Sequence, residues 1–477
     1  MPEWQDIVAS RSSGFLPAAE TRGCTVARLD TRQQPKMTEN SGKNIDTPDF
    51  RRTWRGVVNG LLLSFGERQA PHRSRGDVIR ARPKGSLKRQ NRRIGTIQMR
   101  IAARLETIQF LRGVAVVVVV ISHAMHELAA LLEGHLRSFD EKRFPGDFGV
   151  DLFFVISGFI MVYVCRDLFA RPGAMADFVR RRLVRIVPLY WIMTTMMIGV
   201  VVLLPNNVDT ATNDPGQWLA SYFFIPYQRL SDGLVRPVLG LGWSLQYEML
   251  FYGLFALGLL FPRRYAIPLV TGLIFAAWFV GDHLTGAGAL AQFLSRPIIF
   301  EFVAGMFLGW VFVAGQRVPL NLCLGLGIIG VGLLFAAPAF DDIVDLSRHI
   351  VYGIPALLIL AAFILPPEAE HVRVGRAALE VGETSFATYL THPFVLGLMS
   401  LVASRLDLPV LVGPQIFSAG YVIVACLACV TVGYLVHHHL DLPLTRRIGA
   451  MLPKRPAATG TPVANGASGS SPQTSTS

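Results

Sequence analysis

Apolar blocks of one particular length constrain this chain more than any other feature. Residues 108–132, 187–204 and 297–314 each come close to the roughly 20 apolar residues that carry a helix across a ~30 Å hydrocarbon core. Ten segments fit that description to within a few residues: 108–132, 148–165, 187–204, 243–261, 266–281, 297–314, 320–337, 349–365, 385–404 and 412–437. The aromatic stretch 217–227 is too short to cross and is expected to lie in the interface or to re-enter. With 51% hydrophobic and only 16% charged residues, the chain is excluded from the ordinary soluble globular enzymes. The predicted fold class is all-α: a polytopic membrane protein with about ten transmembrane helices, a disordered N-terminal extension and a flexible C-terminal tail.

The net charge of +12 is unevenly spread. Residues 1–98 hold 19 Lys and Arg against 9 Asp and Glu, so the basicity belongs mostly to one extension and does not point to a nucleic-acid partner. That extension has no sustained helical or strand period, and its Arg, Ser, Pro and Gly content reads as disorder. Either it is a genuine basic tail or translation starts at Met99, directly before the first span. The expected organisation is therefore an extension over 1–98, a membrane domain over 99–450 and a tail over 451–477. With the start of the domain placed inside, inner segments carry 17 basic residues and outer loops 8, including Arg137, Lys142, Arg143 and Arg348. The positive-inside rule then puts both ends of a ten-span protein in the cytoplasm.

Charges near the bilayer centre cost ~2.5–3.5 kcal/mol on insertion scales, so each ionisable residue inside a span needs a partner, a cavity or a function. The first span, IQFLRGVAVVVVVISHAMHE, places Arg112 and His123 eleven residues apart, hence on one helix face and separated by roughly 16 Å along the axis. Glu127, four residues past His123, is placed to hold its ring. Asp151 enters the second span four residues after Asp147, and Ser157 with Gly158 offers a small surface to another helix or a slender ligand. Arg182 and Arg185, neighbours on a helix at the inner edge of the third span, suit a phosphate or pyrophosphate. Glu248 lies among Trp243, Tyr247 and Tyr252 with no basic residue nearby in sequence, and Glu301 poses the same problem in the sixth span. His392 precedes a proline in TYLTHPF, which is expected to open the backbone locally. His437, His438 and His439 end the last span and resemble a metal-binding tract by composition, but read as an interfacial anchor because no carboxylate or cysteine nearby completes a site; Cys426 and Cys429 read as packing residues. No Walker loop, dinucleotide fingerprint, HExxH or GxSxG is present.

Together these segments resemble the integral-membrane acyltransferase family 3, the bacterial O-acetylases of surface glycans. The likeness rests on LRG followed by His123, FGVDLFFVISGFIM, RRLVRIVPLYW, GWSLQYEMLFY and YLTHPF, in that order over roughly residues 104–440. SYFFIPYQRL followed by PVLGLGWSLQYEM looks most like the ExoZ-like exopolysaccharide-production branch. The family often has two adjacent histidines at the first-span site, where this chain has Ser122 and His123. The resemblance implies an acyltransferase in the bacterial inner membrane that takes an acyl group, usually acetyl, from cytoplasmic acyl-CoA to a carbohydrate hydroxyl, with no permanently bound cofactor and no metal. On that reading Arg182 and Arg185 meet the coenzyme A phosphates. Arg112, with Ser157 and Gly158, continues the donor path, and His123 acts as general base or transient acyl carrier. Glu127, Asp151 and Glu248 serve as catalytic carboxyls, while Trp243, Tyr247, Tyr252 and His392 line the acceptor side. The competing class is a proton-coupled transporter or flippase, which also uses intramembrane Arg, His, Asp and Glu. Transporters commonly show internal repeats, whereas the charged residues here crowd into the first four spans.

Overall fold

A computed structural model of the chain describes residues 84–132, 144–204, 213–283, 288–341, 348–370 and 373–452, with the backbone alone at 84–104, 338–341 and 370. Most of the N-terminal extension, the loop with Arg137, Lys142 and Arg143, and the tail beyond 452 lie outside the described residues. The helices are α1 (Lys84–Leu131), α2 (Phe148–Cys165), α3 (Ala174–Leu203), α4 (Pro215–Tyr222), α5 (Trp243–Gly258), α6 (Arg263–His283) and α7 (Gly288–Leu294). There follow α8 (Phe300–Val313), α9 (Leu320–Asp341), α10 (Ile354–Ile364), α11 (Arg376–Arg405), α12 (Leu408–Val412), α13 (Pro414–Val436) and α14 (Leu442–Met451). Two wider π turns, His349–Gly353 and His437–Asp441, precede α10 and α14.

All ten expected spans form helix, but fewer qualify as crossings by length and apolarity. Seven do, or eight if α7 and the segment Pro297–Val313, bent by 46° against each other, count as one. The helix at the fourth expected span, α5, has 16 residues, and that at the eighth is the short apolar helix His349–Ile364. At 1.5 Å per residue, 16 residues rise only about 24 Å. The physical reason is burial: α5 places Ser244, Gln246 and Tyr247 in the interior, so it is built for protein neighbours rather than for lipid. Helix α2 is likewise 78% buried, against 22–44% for the most apolar stretches of the other six long helices.

Helix starts also move outward from the expected positions. Helix α3 begins at Ala174 and α11 at Arg376, because the charged, amphipathic residues before each apolar block continue the helix instead of breaking it. Helix α1 begins at Lys84, inside the extension expected to be disordered; elongating a nucleated helix through Lys, Arg and Gln adds one hydrogen bond per residue at little cost.

Glycines set the crossings. A Cβ on Gly305 would lie 2.0 Å from the Val155 carbonyl oxygen, one on Gly158 2.2 Å from that of Phe302, and one on Gly309 3.0 Å from that of Phe159. Helices α2 and α8 thus run side by side in the same direction, backbone on backbone, through a Gly305-x-x-x-Gly309 motif. At a second close approach, a Cβ on Gly382 would meet the Gln109 carbonyl oxygen at 1.9 Å and one on Gly113 would meet the Gly382 nitrogen at 3.1 Å. There α11 lies against α1. The start of α2 returns antiparallel to α1, with Gly149 on Ala115 and Val119 and Gly146 on Ser122.

Candidate active site

The parallel course of α1 and α11 from the Gly113 and Gly382 contact brings His123 and His392 together, ten residues further along each helix. The two rings meet edge to face with centroids 5.0 Å apart. Sequence fixes the His392 ring locally. Pro393 lacks the N–H that would bond to the carbonyl of Tyr389, and the Nδ1–H of His392 donates to that carbonyl instead, at 2.7 Å. Because a carbonyl only accepts, the hydrogen sits on Nδ1 and the neutral ring presents its Nε2 as a proton acceptor. That Nε2 is buried without a partner, on a residue 0% exposed. His123 is held in the same way, its Nδ1–H donating to the Val119 carbonyl at 2.9 Å. The site therefore holds two imidazoles whose Nδ1 hydrogens are both committed to helix carbonyls. Tyr389, 5.7 Å from His392 between ring centroids, hydrogen-bonds through its hydroxyl to Ser244 at 2.8 Å and donates to the Leu241 carbonyl at 3.1 Å.

Neither carboxylate expected to orient His123 does so. Glu127 is within electrostatic range, but the Val119 carbonyl, one turn back on the same helix, takes the Nδ1 hydrogen. Asp151 is fully buried and accepts from Arg348 Nη2 at 2.7 Å. Arg348 also reaches Asp147, through Nη1 to Oδ2 at 2.7 Å and through Nη2 to the carbonyl oxygen at 3.0 Å. Its guanidinium carbon stands 5.7 Å from the Trp243 ring centroid and 5.9 Å from that of Tyr352. Glu301, 2% exposed, is within electrostatic range of Asp151 and Arg348, and Gly353 gives it room, since a Cβ there would come within 3.0 Å of its carboxyl. Asp151, left alone in an apolar segment, needed a cation; among the outer-loop basic residues nothing in the sequence singled out Arg348.

A second cluster forms around the arginines. Arg112 interacts electrostatically with Arg182, Arg185, Glu248 and Tyr252, so α1, α3 and α5 converge there. Arg182 packs over the rings of Phe178 and Tyr252, each at 5.4 Å. Tyr252 donates to Glu248, and Ser157 donates to the same carboxylate at 3.2 Å. Glu248 and Tyr252, expected among the catalytic and acceptor groups, thus belong with the arginines. Arg185 donates to Asp441 Oδ2 at 3.3 Å, and His437 Nδ1 lies 2.9 Å from the same oxygen. The histidine triplet is consequently not a plain interfacial anchor. His437 and Asp441, four apart and both buried, form a hydrogen-bonded pair on the π turn that steadies Arg185, a spacing that was readable in the sequence. Among the described residues no three His, Cys, Asp or Glu side chains gather as a metal site.

Two further expectations change. Gly158 is spent on the backbone of α8 and leaves no room for a ligand. Tyr247 is 2% exposed, stacked on Phe293 at 4.1 Å, and donates its hydroxyl to the Phe293 carbonyl at 2.6 Å. It is a structural residue of the aromatic core rather than part of an acceptor wall.

A bundle of apolar helices with imidazoles at one polar cluster and guanidiniums at another defines a multi-pass membrane protein with a polar interior, and sequence comparison supplies its class. The family described as "Acyltransferase domain" matches residues 105–437, and the chain belongs to it: the protein is a membrane acyltransferase. Among its relatives is the exopolysaccharide production protein ExoZ of Rhizobium meliloti (strain 1021), 34% identical over 305 residues, which cover 63% of this chain and 90% of that protein. Another is the acyltransferase MdmB of Streptomyces mycarofaciens, 27% identical over 351 residues, covering 66% of this chain and 84% of that protein. The chain falls in the ExoZ-like branch. No solved structure matches it.

Proposed function

We propose that this protein is an O-acyltransferase of the bacterial inner membrane that moves an acetyl group from cytoplasmic acetyl-CoA to a hydroxyl of an exopolysaccharide sugar. The observation that carries the reading is the meeting of His123 on α1 with His392 on α11, with Arg112, on the same helix as His123, in the electrostatic field of Arg182 and Arg185. The arginines supply positive charge for the coenzyme A phosphates, with Arg182 and Arg185 on the basic, inner stretch of α3. The thioester then lies along α1 toward His123. With Nδ1–H held by Val119, the Nε2 of His123 takes the proton of the sugar hydroxyl as its oxygen attacks the thioester carbonyl carbon. Collapse of the tetrahedral intermediate breaks the C–S bond, and the same nitrogen returns the proton to the departing thiolate. His392 offers the second acceptor nitrogen, which suits a neighbouring hydroxyl of the same sugar.

Exopolysaccharide as the acceptor follows the name of the relative, the exopolysaccharide production protein ExoZ. The orientation, with the arginines toward the cytoplasm and both ends of the domain on that side, follows the distribution of basic residues. The test is mass spectrometry of surface polysaccharide from cells with and without the protein. A lost acetyl increment on a sugar residue is expected on deletion, with restoration by the intact gene; identical polysaccharide in both would refute the reading.

A further inference from the structure

We infer that Arg348 is a positioning residue for acyl transfer: by clamping Asp147 and Asp151 it holds the start of α2 against the turn of α1 that carries His123. The inference rests on the proposed role of His123 and adds a residue that does not touch it. Each link is a contact. Arg348 bonds Asp147 and Asp151 at 2.7 Å through separate nitrogens and also donates to the Asp147 carbonyl at 3.0 Å, so it ties down both the first turn of α2 and the residue before it. Between and beside those two carboxylates, Gly146 and Gly149 lie directly on α1. A Cβ on Gly146 would fall 2.0 Å from Ser122 Cβ, and one on Gly149 2.5 Å from the Ala115 carbonyl oxygen and 2.7 Å from Val119 Cγ2. Val119 is the residue whose carbonyl holds the His123 ring, and Ser122 is its chain neighbour. A shift of α2 is therefore a shift of the imidazole. From the other side, Arg348 is backed by the rings of Trp243 and Tyr352 and begins the π turn on which Gly353 receives Glu301. Serving two carboxylates at once requires the planar fork of a guanidinium, which the single ammonium of lysine does not reproduce.

Two substitutions test this in the purified full-length protein, with acetyl-CoA and deacetylated exopolysaccharide as substrates. Arg348→Lys keeps a positive charge beside the buried Asp151, and Asp147→Asn leaves the bond between Arg348 and Asp151 in place, so both are chosen to preserve the fold. Each is expected to lower kcat ~10- to 100-fold, the scale of a slightly misplaced catalytic group, with the acetyl-CoA KM within about twofold of wild type and the melting temperature unchanged. The inference is overturned if both variants keep wild-type kcat, or if activity falls only in proportion to folded protein lost. His123→Ala in the same assay separates the two ideas. If that variant still turns over, the role of His123 fails; if it is inactive while both clamp variants are normal, only the role of Arg348 fails.

Discussion

The two polar clusters of this bundle use opposite chemistry. At the arginine cluster, Arg112, Arg182 and Arg185 outnumber their acidic partners Glu248 and Asp441, and aromatic rings of Phe178 and Tyr252 flank the cationic face. At the histidine cluster the balance reverses: Asp147, Asp151 and Glu301 surround one guanidinium, and the neighbouring imidazoles carry the acceptor nitrogen. A surplus of fixed cations suits an anionic donor, whereas carboxylates and neutral imidazoles suit an uncharged, hydroxyl-rich acceptor. Under the proposed function the difference becomes a division of labour along α1, with donor binding at one cluster and proton transfer at the other.

That division is open to experiment, beginning with the largest effect. His123→Ala should lower kcat by ~10²–10⁴-fold, the usual contribution of a general base, with insertion into the membrane unaffected. Joint replacement Arg182→Ala and Arg185→Ala should instead raise the acetyl-CoA KM by ~10- to 100-fold, about one to two charge-assisted hydrogen bonds, and leave the acceptor KM alone. An unchanged donor KM would reduce the pair to a topological signal. His392→Gln should cost ~10-fold in kcat/KM for the acceptor, the worth of one hydrogen bond, and nothing in donor affinity. The smallest effect is expected for Tyr247→Phe, which removes the bond to the Phe293 carbonyl. It should lower stability by about 1 kcal/mol without moving either KM.

Much of this arrangement is written in single-segment patterns. The apolar blocks gave the helices, and the eleven-residue interval put Arg112 and His123 on the same side of α1. The proline after His392 signalled an opened carbonyl, and that carbonyl is what fixes the ring. What stayed hidden were partnerships across the fold. Asp151 announced a need for a counter-ion, but the choice of Arg348, 197 residues away, depends on how α2 meets the segment before α10. Glu248 has Tyr252 four residues on along its own helix, but it found Ser157, with Arg112 close by, only once α1, α2 and α5 converged. Crossing lengths misled for a related reason. An interior helix such as α5 answers to polar partners rather than to the thickness of lipid, so a span count read from hydropathy exceeds the number of full-length apolar helices.

The most direct test of the central claim is calorimetric binding of acetyl-CoA to purified His123→Ala beside the wild-type protein. If donor binding and proton transfer are separate tasks, the two proteins bind acetyl-CoA with the same dissociation constant although only the wild type releases thiol in the presence of polysaccharide. Loss of acetyl-CoA binding in the His123 variant would contradict the account, because it would place the imidazole in the donor site itself.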